Sequence, residues 1–507
     1  MAKTKKASPE KITATQAVRE NSRRAASITP AYSGSSNGRR GKNWIASGSG
    51  PAFVTQSLDQ LRRRARDLVR NDPWIAKASR VYVSNLIGKG IRPVAKTHDP
   101  AFNAELMQLW QLWNQDADAS GTTSFYGMQA LITKSLYCTG EALGRKILGA
   151  DEDSILPLQI QLMEPDFLDH LYNQQKTDTQ PLIVQGIEMG RYKPSAFWLF
   201  KSHPGEALMG LNRTERTRVS ADEIMHVRLT DRIGQVRGVT PIAAALLRVM
   251  DMLEYEEAEL TRKKLAAMFV AFVRTLSDDA EALSLLLGAY KDANGQETAE
   301  IEPGVLQHLK PGEDIEFNQP ADVGGSYEPF MRNQHRAMAA PSDVTYEELT
   351  GDLTGTNFSS ARVGLNTVRR IHEQTQDFVI KPQFCLPSWR WFVKSAIACG
   401  EIKPPDDYYD NPRRYLKVDF VSPAWYAIQP KEEEEAAQMA IRGGTDTREN
   451  VNARKGLDII ETDKQNKIDQ ERADELGLVY DTDPRVVSKA GNSANPTKAN
   501  PEKPEGE

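Results

Sequence analysis

The stretch PIAAALLRVMDMLEYEEAELTRKK, residues 241–264, predicts one long helix around which the rest of the chain is organised. It has no glycine and no internal proline, and its acidic side chains precede its basic ones, which suits both i,i+4 ion pairs and the helix dipole. At about 1.5 Å per residue it is roughly 36 Å long. Its narrow apolar stripe favours packing against other helices rather than on a sheet. The stripe and its charged flanks contain the residues that we predict to contact other copies of the chain: Leu246, Met250, Leu253, Leu260, Glu257, Arg262, Lys263 and Lys264.

Upstream of this helix, the pattern changes from helical to strand-like near residue 141. In NDPWIAKASRVYVSNLIGKG (71–90), Asp72 is a helix cap, Pro73 a first-turn proline and Gly88 a helix terminator. From residue 158, apolar and polar side chains alternate as in a half-buried strand. These patterns predict an α+β region over residues 51–240. Its helices are predicted at 58–69, 73–88 and 102–113, and its strands at 158–162, 186–191, 195–200 and 224–229.

Downstream of the long helix, the pattern predicts two short strands, two helices and a helical end. The strands are expected at 268–275 and 304–317, and the helices at 327–340 and from 359 to about 380. VTYEELTGDLTGTNFSSAR (344–362) is a loop rich in threonine and glycine. Four glutamates after Lys431 precede AAQMAIR and predict a helix start, because acidic residues stabilise a helix N-terminus. Two more helices are predicted from 448 and at 463–476.

The composition is that of a folded protein. The 507 residues are 39% hydrophobic and 26% charged, which excludes a wholly disordered chain. Three cysteines without a CxxC pair exclude a disulfide scaffold and a zinc ribbon. A formal charge of -5 argues against a protein that coats nucleic acid. The longest apolar run, at 265–273, is under half of the roughly twenty residues of a membrane span, so we expect no membrane partner.

The two ends of the chain carry opposite charge. Residues 1–50 hold ten basic residues against two glutamates, and residues 431–507 hold 18 acidic against 12 basic residues. The first segment is poor in apolar residues and is expected to be a mobile basic arm. Two interpretations of the arm stay open: a solvated tail, or a tail that touches nucleic acid or an acidic partner. Residues 481–507 are rich in Pro, Asn and Glu and are expected to be disordered.

The sequence holds no self-contained catalytic motif, and we predict no catalytic, cofactor-binding or metal-binding residues and no cofactor. The phosphate-binding loop G-x-x-x-x-G-K-[ST] and the zinc motif HExxH are both absent from it. A GxSxG occurs at 34–38, inside the basic arm and without the strand and helix that a nucleophile elbow needs. The seven histidines are scattered along the chain.

Three weaker signals for chemistry can be weighed against structural explanations. Glu164, Asp166 and Asp169 are close enough in sequence for a nuclease-like metal site, but a turn at a strand end explains them better. Cys138 has no histidine near it, which argues against a nucleophilic thiolate. His226 falls in a strand pattern, which favours a structural role. Together these features favour a structural or interaction role over catalysis.

Eight segments, in their order and spacing, resemble a known family. They are RARDLVRNDPWIAKASRVYVSNLIGKGIRP (64–93), GEALGRK (140–146), IQLMEPDFLD (160–169), RVSADEIMHVRLTDRIGQVRGVTPIAAAL (218–246), DMLEYEEAELTRKKLAA (251–267), LKPGEDIEF (309–317), VTYEELTGDLTGTNFSSAR (344–362) and AIQPKEEEEA (427–436). Over roughly residues 30–480 the chain resembles the portal proteins of tailed bacteriophages, specifically the lambda-type family. One departure is Phe358, where that family favours tyrosine in an N-Y-S-S-x-R motif. The ring is kept and only a hydroxyl is lost.

The resemblance implies a portal-type α+β fold with a wing, stem helices, a clip and a C-terminal helical crown. Such chains assemble as a ring, usually of twelve copies, at one capsid vertex. The implied division is a basic arm (1–50), an α+β wing (51–240), a stem helix (241–267), a clip (268–320), a second stem helix region (321–343), a tunnel loop (344–358), a wing or channel helix with following strands (359–430), a helical crown (431–480) and a disordered tail (481–507).

The resemblance also implies a conduit rather than an enzyme. DNA passes through the ring during packaging and ejection, and a separate terminase supplies the ATPase. The implied partners are further copies of the chain, usually in a dodecamer in this family, and double-stranded DNA. They also include the terminase large subunit, major capsid and scaffold proteins, and head-completion or tail adaptor proteins. The implied location is the virion, with the host cytoplasm during assembly.

Within this scheme, residues 344–358 are the tunnel loop. The candidate channel residues are Glu347, Glu348, Thr350, Gly351, Asp352, Thr354, Gly355, Thr356 and Asn357. The glycines and threonines favour mobility, and the carboxylates repel phosphates, so that DNA slides instead of binding. An ordinary surface turn is the alternative interpretation of the same residues.

Two other functions stay open at this stage. One is a nuclease or terminase component of the same packaging machine, against which the missing ATP-binding loop counts. The other is a monomeric DNA-binding or replication protein that carries the basic arm. The mass of the purified particle separates both from a ring.

Overall fold

The computed structural model describes residues 54–55, 57–149, 154–206, 215–268, 272–275, 290–291, 297–298, 313–316, 324–425, 428–478 and 480. The predicted basic arm, the GxSxG at 34–38, the C-terminal tail and most of the predicted clip lie outside these residues. The helices are α1 (Leu58–Asn71), α2 (Pro73–Ile87), α3 (Pro100–Asp116), α4 (Phe125–Thr139), α5 (Leu246–Met268), α6 (Gly324–Ala339), α7 (Tyr346–Thr350), α8 (Phe358–Thr375), α9 (Leu386–Cys399), α10 (Pro430–Arg442), α11 (Arg448–Arg454) and α12 (Ile459–Glu475).

The strands form small antiparallel sheets. They are β1 (Arg92–Ala95), β2 (Glu141–Leu148), β3 (Leu158–Met163), β4 (Leu182–Val184), β5 (Ile187–Met189), β6 (Pro194–Phe200), β7 (Arg216–Ser220), β8 (Ile224–Arg228), β9 (Phe272–Thr275), β10 (Tyr290–Lys291), β11 (Glu297–Thr298), β12 (Glu313–Glu316) and β13 (Val418–Val421). β2 lies between β3 and β8, and β4 to β7 follow one another in a four-stranded sheet. The predicted α+β class is therefore confirmed.

The first two helices meet at Asp72, as the sequence predicts. Asp72 follows the last residue of α1, and its side chain accepts a hydrogen bond of 2.7 Å from the backbone N–H of Ile75. Pro73 begins α2, where a missing N–H costs nothing because no intrahelical acceptor is available there. Gly88 follows α2 with a φ of 47°, a conformation that favours glycine.

One large core joins the helices to the central sheet, and its centre is aromatic. The ring of Trp110 lies 5.0 Å from Phe125 and 5.0 Å from Phe392, measured between centroids. Trp389 lies 5.4 Å from it. These contacts pack α3 and α4 against α9, across more than 250 residues of chain. A second, smaller core, which includes Phe197, lies beside the four-stranded sheet.

The long helix differs from its prediction at both ends. Pro241–Ala244 forms a 3₁₀ turn, and the α-helix begins at Leu246 and extends to Met268, so residue 268 is helical and not part of a strand. β9 then pairs with β12, within the predicted clip. The helix predicted at 327–340 also begins earlier than expected, at Gly324.

The helix that follows the predicted tunnel loop is longer than expected. α8 continues through a π-helical stretch, Gln376–Cys385, directly into α9, so the predicted end near residue 380 is wrong. Pro382 lies inside the π-helical stretch. Proline lacks the N–H that a regular α-helix needs, and a change of hydrogen-bond register accommodates it without ending the helix.

The three predicted C-terminal helices are confirmed as α10, α11 and α12. They bury little apolar surface: Val451 is the buried residue that they contribute within the described part of the chain. Lys96 Nζ lies 2.5 Å from Glu449 Oε1 and connects α11 to the end of β1. None of the described helices is both long enough and apolar enough to cross a bilayer.

Candidate functional site

The segment predicted as a tunnel loop begins with a short, anchored helix. Thr345 and Glu348 form a capping box: the Glu348 N–H donates to Thr345 Oγ1 at 3.1 Å, and the Thr345 N–H donates to Glu348 Oε2 at 2.9 Å. Asn85 on α2 donates to Glu348 Oε1 at 2.9 Å. Leu349 is fully buried. The expectation of an open loop is therefore corrected for this half, because Thr-x-x-Glu satisfies the N–H groups that begin a helix.

The second half of the segment is held by side-chain hydrogen bonds. Gly351, with a φ of 78°, ends α7. Asp352 accepts from Thr354 Oγ1 at 2.5 Å and from the Thr354 N–H at 2.9 Å, and from Tyr346 Oη at 2.8 Å. These hydrogen bonds, led by those of Thr354, lower the pKa of Asp352 to about 2, so it is ionised at neutral pH. Thr356 Oγ1 donates to Glu347 at 3.3 Å.

The exposed tip of the segment is neutral. Leu353 is 69% exposed and Phe358 is 53% exposed, and Thr354, Gly355 and Asn357 beside them are exposed as well. Residues 344–360 contain no lysine or arginine. The carboxylates that we expected to face a phosphate backbone are half-buried and accept internal hydrogen bonds. The hydroxyl of Thr350 likewise donates inward, to the Tyr346 carbonyl at 2.8 Å.

The long helix α5 leaves the core halfway along its length. Leu246 is buried together with Val249 and Met252, but Met250 is 44% exposed and Leu260 is 53% exposed. The predicted apolar stripe is thus corrected: the face of α5 that packs on the core contains Val249 and Met252. Tyr255 is the last described apolar residue of α5 that packs against this core, and Leu260 beyond it is exposed.

The outer half of α5 packs against α6. The rings of Tyr255 and Phe330 lie 4.7 Å apart, and Lys263 Nζ lies 5.1 Å from the centroid of Tyr327. Since residue 255 contacts 330 and residue 263 contacts 327, the two helices are antiparallel.

Of the other residues predicted to contact another copy, two have contacts within the chain and two are exposed. Arg262 Nη2 pairs with Glu259 at 2.7 Å on the same helix, and Leu253 is half-buried. Glu257 and Lys264 are exposed. Contacts of these residues with another copy of the chain stay a prediction.

A guanidinium occupies the place of the suspected metal site. Arg66 Nη2 lies 2.5 Å from Asp166 Oδ2 and 3.2 Å from Glu164 Oε2, and His203 approaches the same Glu164 oxygen at 3.1 Å. Burial alone would raise the pKa of Asp166, but the hydrogen bond and charge of Arg66 lower it. Asp169 does not join this group, because it pairs with Arg216. The structural explanation of these carboxylates is favoured.

The surroundings of the two remaining catalytic candidates, Cys138 and His226, also favour structural roles. Cys138 is buried, and burial raises the pKa of its thiol to about 11, which opposes formation of the thiolate that a nucleophile needs. His226 is buried in β8, and burial lowers the pKa of its ring well below the ordinary value, so the ring is neutral at pH 7.

Comparison with known proteins decides the family. Residues 37–376, which are 340 of the 507 residues, match the model of the phage portal protein, lambda family. The chain belongs to the lambda family of phage portal proteins. The probable portal protein of Halomonas phage phiHAP-1 is 25% identical, over 90% of this chain and 89% of that protein. The portal protein of Escherichia phage N15 is 22% identical, over 90% of this chain and 92% of that protein.

Among solved structures, a chain in the neck of a native GTA particle, computed with C12 symmetry, is 12% identical with a TM-score of 0.46. The match covers 78% of this chain and 94% of the neck chain. The resemblance that the sequence indicates is thus confirmed by the family match. The lambda-family portal proteins are structural proteins rather than enzymes, which agrees with the prediction that this chain is not an enzyme.

A buried ionic cluster, which no sequence motif predicted, surrounds Glu141, the first residue of β2 in this portal chain. Arg62 of α1 contacts Glu141 Oε1, and Arg237 Nη2 lies 2.8 Å from the same oxygen. His226 Nε2 lies 2.6 Å from Oε2, and because an ionised carboxylate only accepts, the ring donates this hydrogen bond from Nε2–H. The Gly238 N–H donates to Oε2 at 3.1 Å. All four side chains are 8% exposed or less.

Backbone packing places these groups of the portal fold together. A Cβ added to Gly140, which has a φ of +81°, would lie 2.2 Å from the carbonyl carbon of Val239. A Cβ added to Gly238 would lie 2.0 Å from the Gly140 carbonyl oxygen. Both positions therefore require glycine. The two glycines are visible in the sequence, but no local pattern in it pairs Glu141 with Arg62, His226 or Arg237.

Arg237 connects the cluster to three further backbone segments. Its guanidinium donates to the carbonyls of Pro165 at 3.1 Å, Leu168 at 3.1 Å and Gln185 at 3.3 Å. Burial lowers the pKa of Arg237 to about 9, which still leaves it charged at neutral pH. In this portal protein, one carboxylate thus joins α1, the central sheet and the loop between β8 and α5.

Proposed function

We propose that copies of this chain form a ring around a channel that conducts double-stranded DNA into and out of a phage capsid. In this proposal the ring docks the terminase large subunit, capsid and scaffold proteins, and head-completion or tail adaptor proteins. It acts at the portal vertex of the virion and assembles in the host cytoplasm. Membership of the lambda family of portal proteins supports this function.

Uncovered apolar side chains on α5 support assembly. Leu247 is 68% exposed, Met250 44% and Leu260 53%. A closed ring requires one face of a copy to meet a different face of the next, and burying such side chains supplies a favourable free energy. We therefore propose that the stem residues, including Glu257 and Lys264, contact the neighbouring copy in the ring.

The neutral tip of residues 353–358 is the observation that carries the conduit role. A channel must not hold its DNA, because each phosphate that a cation neutralises adds salt-dependent affinity. The tip offers hydroxyl, amide, glycine and apolar groups and no cation, on a base anchored through Glu348 to α2. We propose that Thr354, Gly355, Thr356 and Asn357 face the DNA, with the carboxylates behind them limiting its approach.

The particle mass tests the proposal. We expect a species of about twelve times 56.6 kDa, with a central opening in axial views by negative-stain microscopy. Met250→Glu together with Leu260→Glu should shift the distribution toward smaller species, because charge would have to be buried between copies. Leu171→Glu, at a wing side chain that is 68% exposed, is the matched control and should leave the ring intact. A stable monomer at assembly concentration, or ATP hydrolysis by the pure protein, would contradict the proposal.

A further inference from the structure

A basic groove is lined by residues from 96–98, 386–394 and 412–418 and by none of the segment at 344–358. It has a volume of about 1270 Å³ and runs between α9 and the 3₁₀ turn Pro412–Leu416. Leu386, Arg390 and Lys394 follow one another at intervals of four residues and form the α9 wall. The cations that line the groove are Lys96, Arg390, Lys394, Arg413, Arg414 and Lys417.

Most of these cations are not neutralised within the chain. Lys96 pairs with Glu449 at 2.5 Å, and Arg414 lies 4.0 Å from Asp407. The other four, Arg390, Lys394, Arg413 and Lys417, are exposed and have no ion-pair partner in the described part of the chain. In a chain whose formal charge is -5, this groove is therefore a local surplus of positive charge.

The floor of the groove is apolar. Leu386, Leu416 and Val418 line it and are half-buried. Binding to a phosphate backbone depends on cations and gains nothing from such a floor, whereas a peptide segment buries its own apolar side chains against it. A cationic rim around an apolar floor is thus complementary to a protein segment that carries both acidic and apolar residues.

The groove is held in shape by elements of the fold. Val418 begins β13, which pairs with Ala95 at the end of β1. Tyr415 is buried behind the rim, where its hydroxyl bonds to Asp407 and lies 3.1 Å from His98 Nε2. A preformed groove of this kind lowers the entropy cost of binding a partner.

We propose that this groove docks an acidic amphipathic segment of a partner protein, with carboxylates on the Arg390, Lys394, Arg413 and Lys417 rim and apolar side chains on the Leu386 and Leu416 floor. The terminal segments 1–50 and 481–507 of the chain itself are poor candidates on charge. Residues 481–507 hold five acidic against four basic residues, and residues 1–50 are strongly basic. The proposal concerns the groove and does not depend on DNA conduction.

Fluorescence anisotropy with the full-length assembled protein tests this surface. The probe is a synthetic peptide with leucine on one helical face and glutamate on the other, labelled with a neutral dye. A scrambled peptide of the same composition and a short DNA duplex are the comparison probes. Arg390→Glu combined with Lys394→Glu should weaken peptide binding by about tenfold or more. Lys176→Glu combined with Lys193→Glu makes the same change of charge at exposed wing positions and should leave the affinity unchanged.

The outcomes separate the classes of partner. The proposal is supported if the amphipathic peptide binds more tightly than the scrambled one and the groove variant alone loses binding, with particle mass and melting temperature unchanged. It is overturned if the peptide does not bind, if both double variants weaken it equally, or if the scrambled peptide binds as well. Tighter binding of the duplex, lost in the groove variant, would also overturn it and identify a nucleic-acid site instead.

Discussion

Both the Glu141 cluster and the segment at 344–358 are organised by a carboxylate, which is buried in the first and near the surface in the second. Glu141 is fully buried and is shared by two guanidiniums and a neutral imidazole. Asp352, near the tip of the segment, accepts its hydrogen bonds from hydroxyls and a backbone N–H, with Arg332 at 3.7 Å. The first carboxylate neutralises buried positive charge, and the second orders a turn at the surface.

The difference teaches where this portal protein tolerates change. A buried charge that loses its counter-charge is left in a low-dielectric interior, where its desolvation is uncompensated. A half-exposed carboxylate that loses a hydroxyl partner can bind water instead. Substitution in the cluster should therefore affect folding, and substitution at the tip should affect passage of DNA.

The largest effect is expected for Glu141→Gln. The amide leaves Arg62 and Arg237 buried without a counter-ion, so the chain should lose about 3–5 kcal/mol of folding free energy. Urea unfolding followed by circular dichroism measures the loss. Glu215→Gln, which removes the exposed partner that lies 2.7 Å from Lys201, is the control and should cost under about 1 kcal/mol. Equal losses in the two variants would remove the contrast between buried and exposed carboxylates.

The next effect concerns the tip and should appear in function rather than in stability. Leu353→Lys adds a cation at a side chain that is 69% exposed, so we expect DNA packaging to slow several-fold and to recover as salt is raised. An in vitro packaging assay at several salt concentrations checks both. Leu353→Gln, polar but neutral, should package at the normal rate. If the lysine variant packages normally at low salt, the segment does not contact DNA.

A smaller effect is expected at the base of the segment. Glu348→Ala removes the reciprocal half of the capping box and leaves Asn85 without its acceptor, which should cost about 1–2 kcal/mol. Thermal melting of the assembled protein measures this change. Glu347→Ala, one residue away, loses a hydrogen bond of 3.3 Å from Thr356 and should cost less. The reverse order would show that the cap does not anchor the segment.

The smallest effect is expected at Asp343. Its side chain is half-buried, so its exposure is intermediate between that of Glu141 and that of the tip residues. Burial raises its pKa to about 6, above the ordinary value of 3.8. Because the folded-state pKa is raised, the protonated form is favoured: its stabilising contribution is present at low pH and is lost as the pH rises through about 6. Asp343→Asn should therefore stabilise the protein by about 1 kcal/mol at pH 8 and by almost nothing at pH 4.

Melting temperatures of both proteins at pH 4 and pH 8 measure that difference. Asparagine also accepts the φ of 52° found at residue 343, so the substitution adds no backbone strain. A gain of equal size at the two pH values would mean that the charge of Asp343 is not its source.

Local signals in the sequence predicted much of the fold. The Asp72–Pro73 junction and the Gly88 terminator lie where they were expected, because their hydrogen bonds and backbone preferences involve neighbours a few residues away. Thr345 and Glu348 carried the same kind of signal, but the threonine and glycine content of the segment led to a loop prediction that the capped helix corrects. The role of this segment in a channel stays a prediction.

The sequence by itself determined the α+β class, most element positions, the absence of the common ATP-binding motif and the family resemblance. The tertiary structure decided which face of α5 is buried and that Asp166 pairs with Arg66. It also brought Glu141 into contact with Arg62, His226 and Arg237, which lie 79, 85 and 96 residues away in the chain. Helix caps and turns arise from groups that adjoin one another in the chain. Burial and charge compensation arise from groups that only folding brings together, so no local pattern reports them.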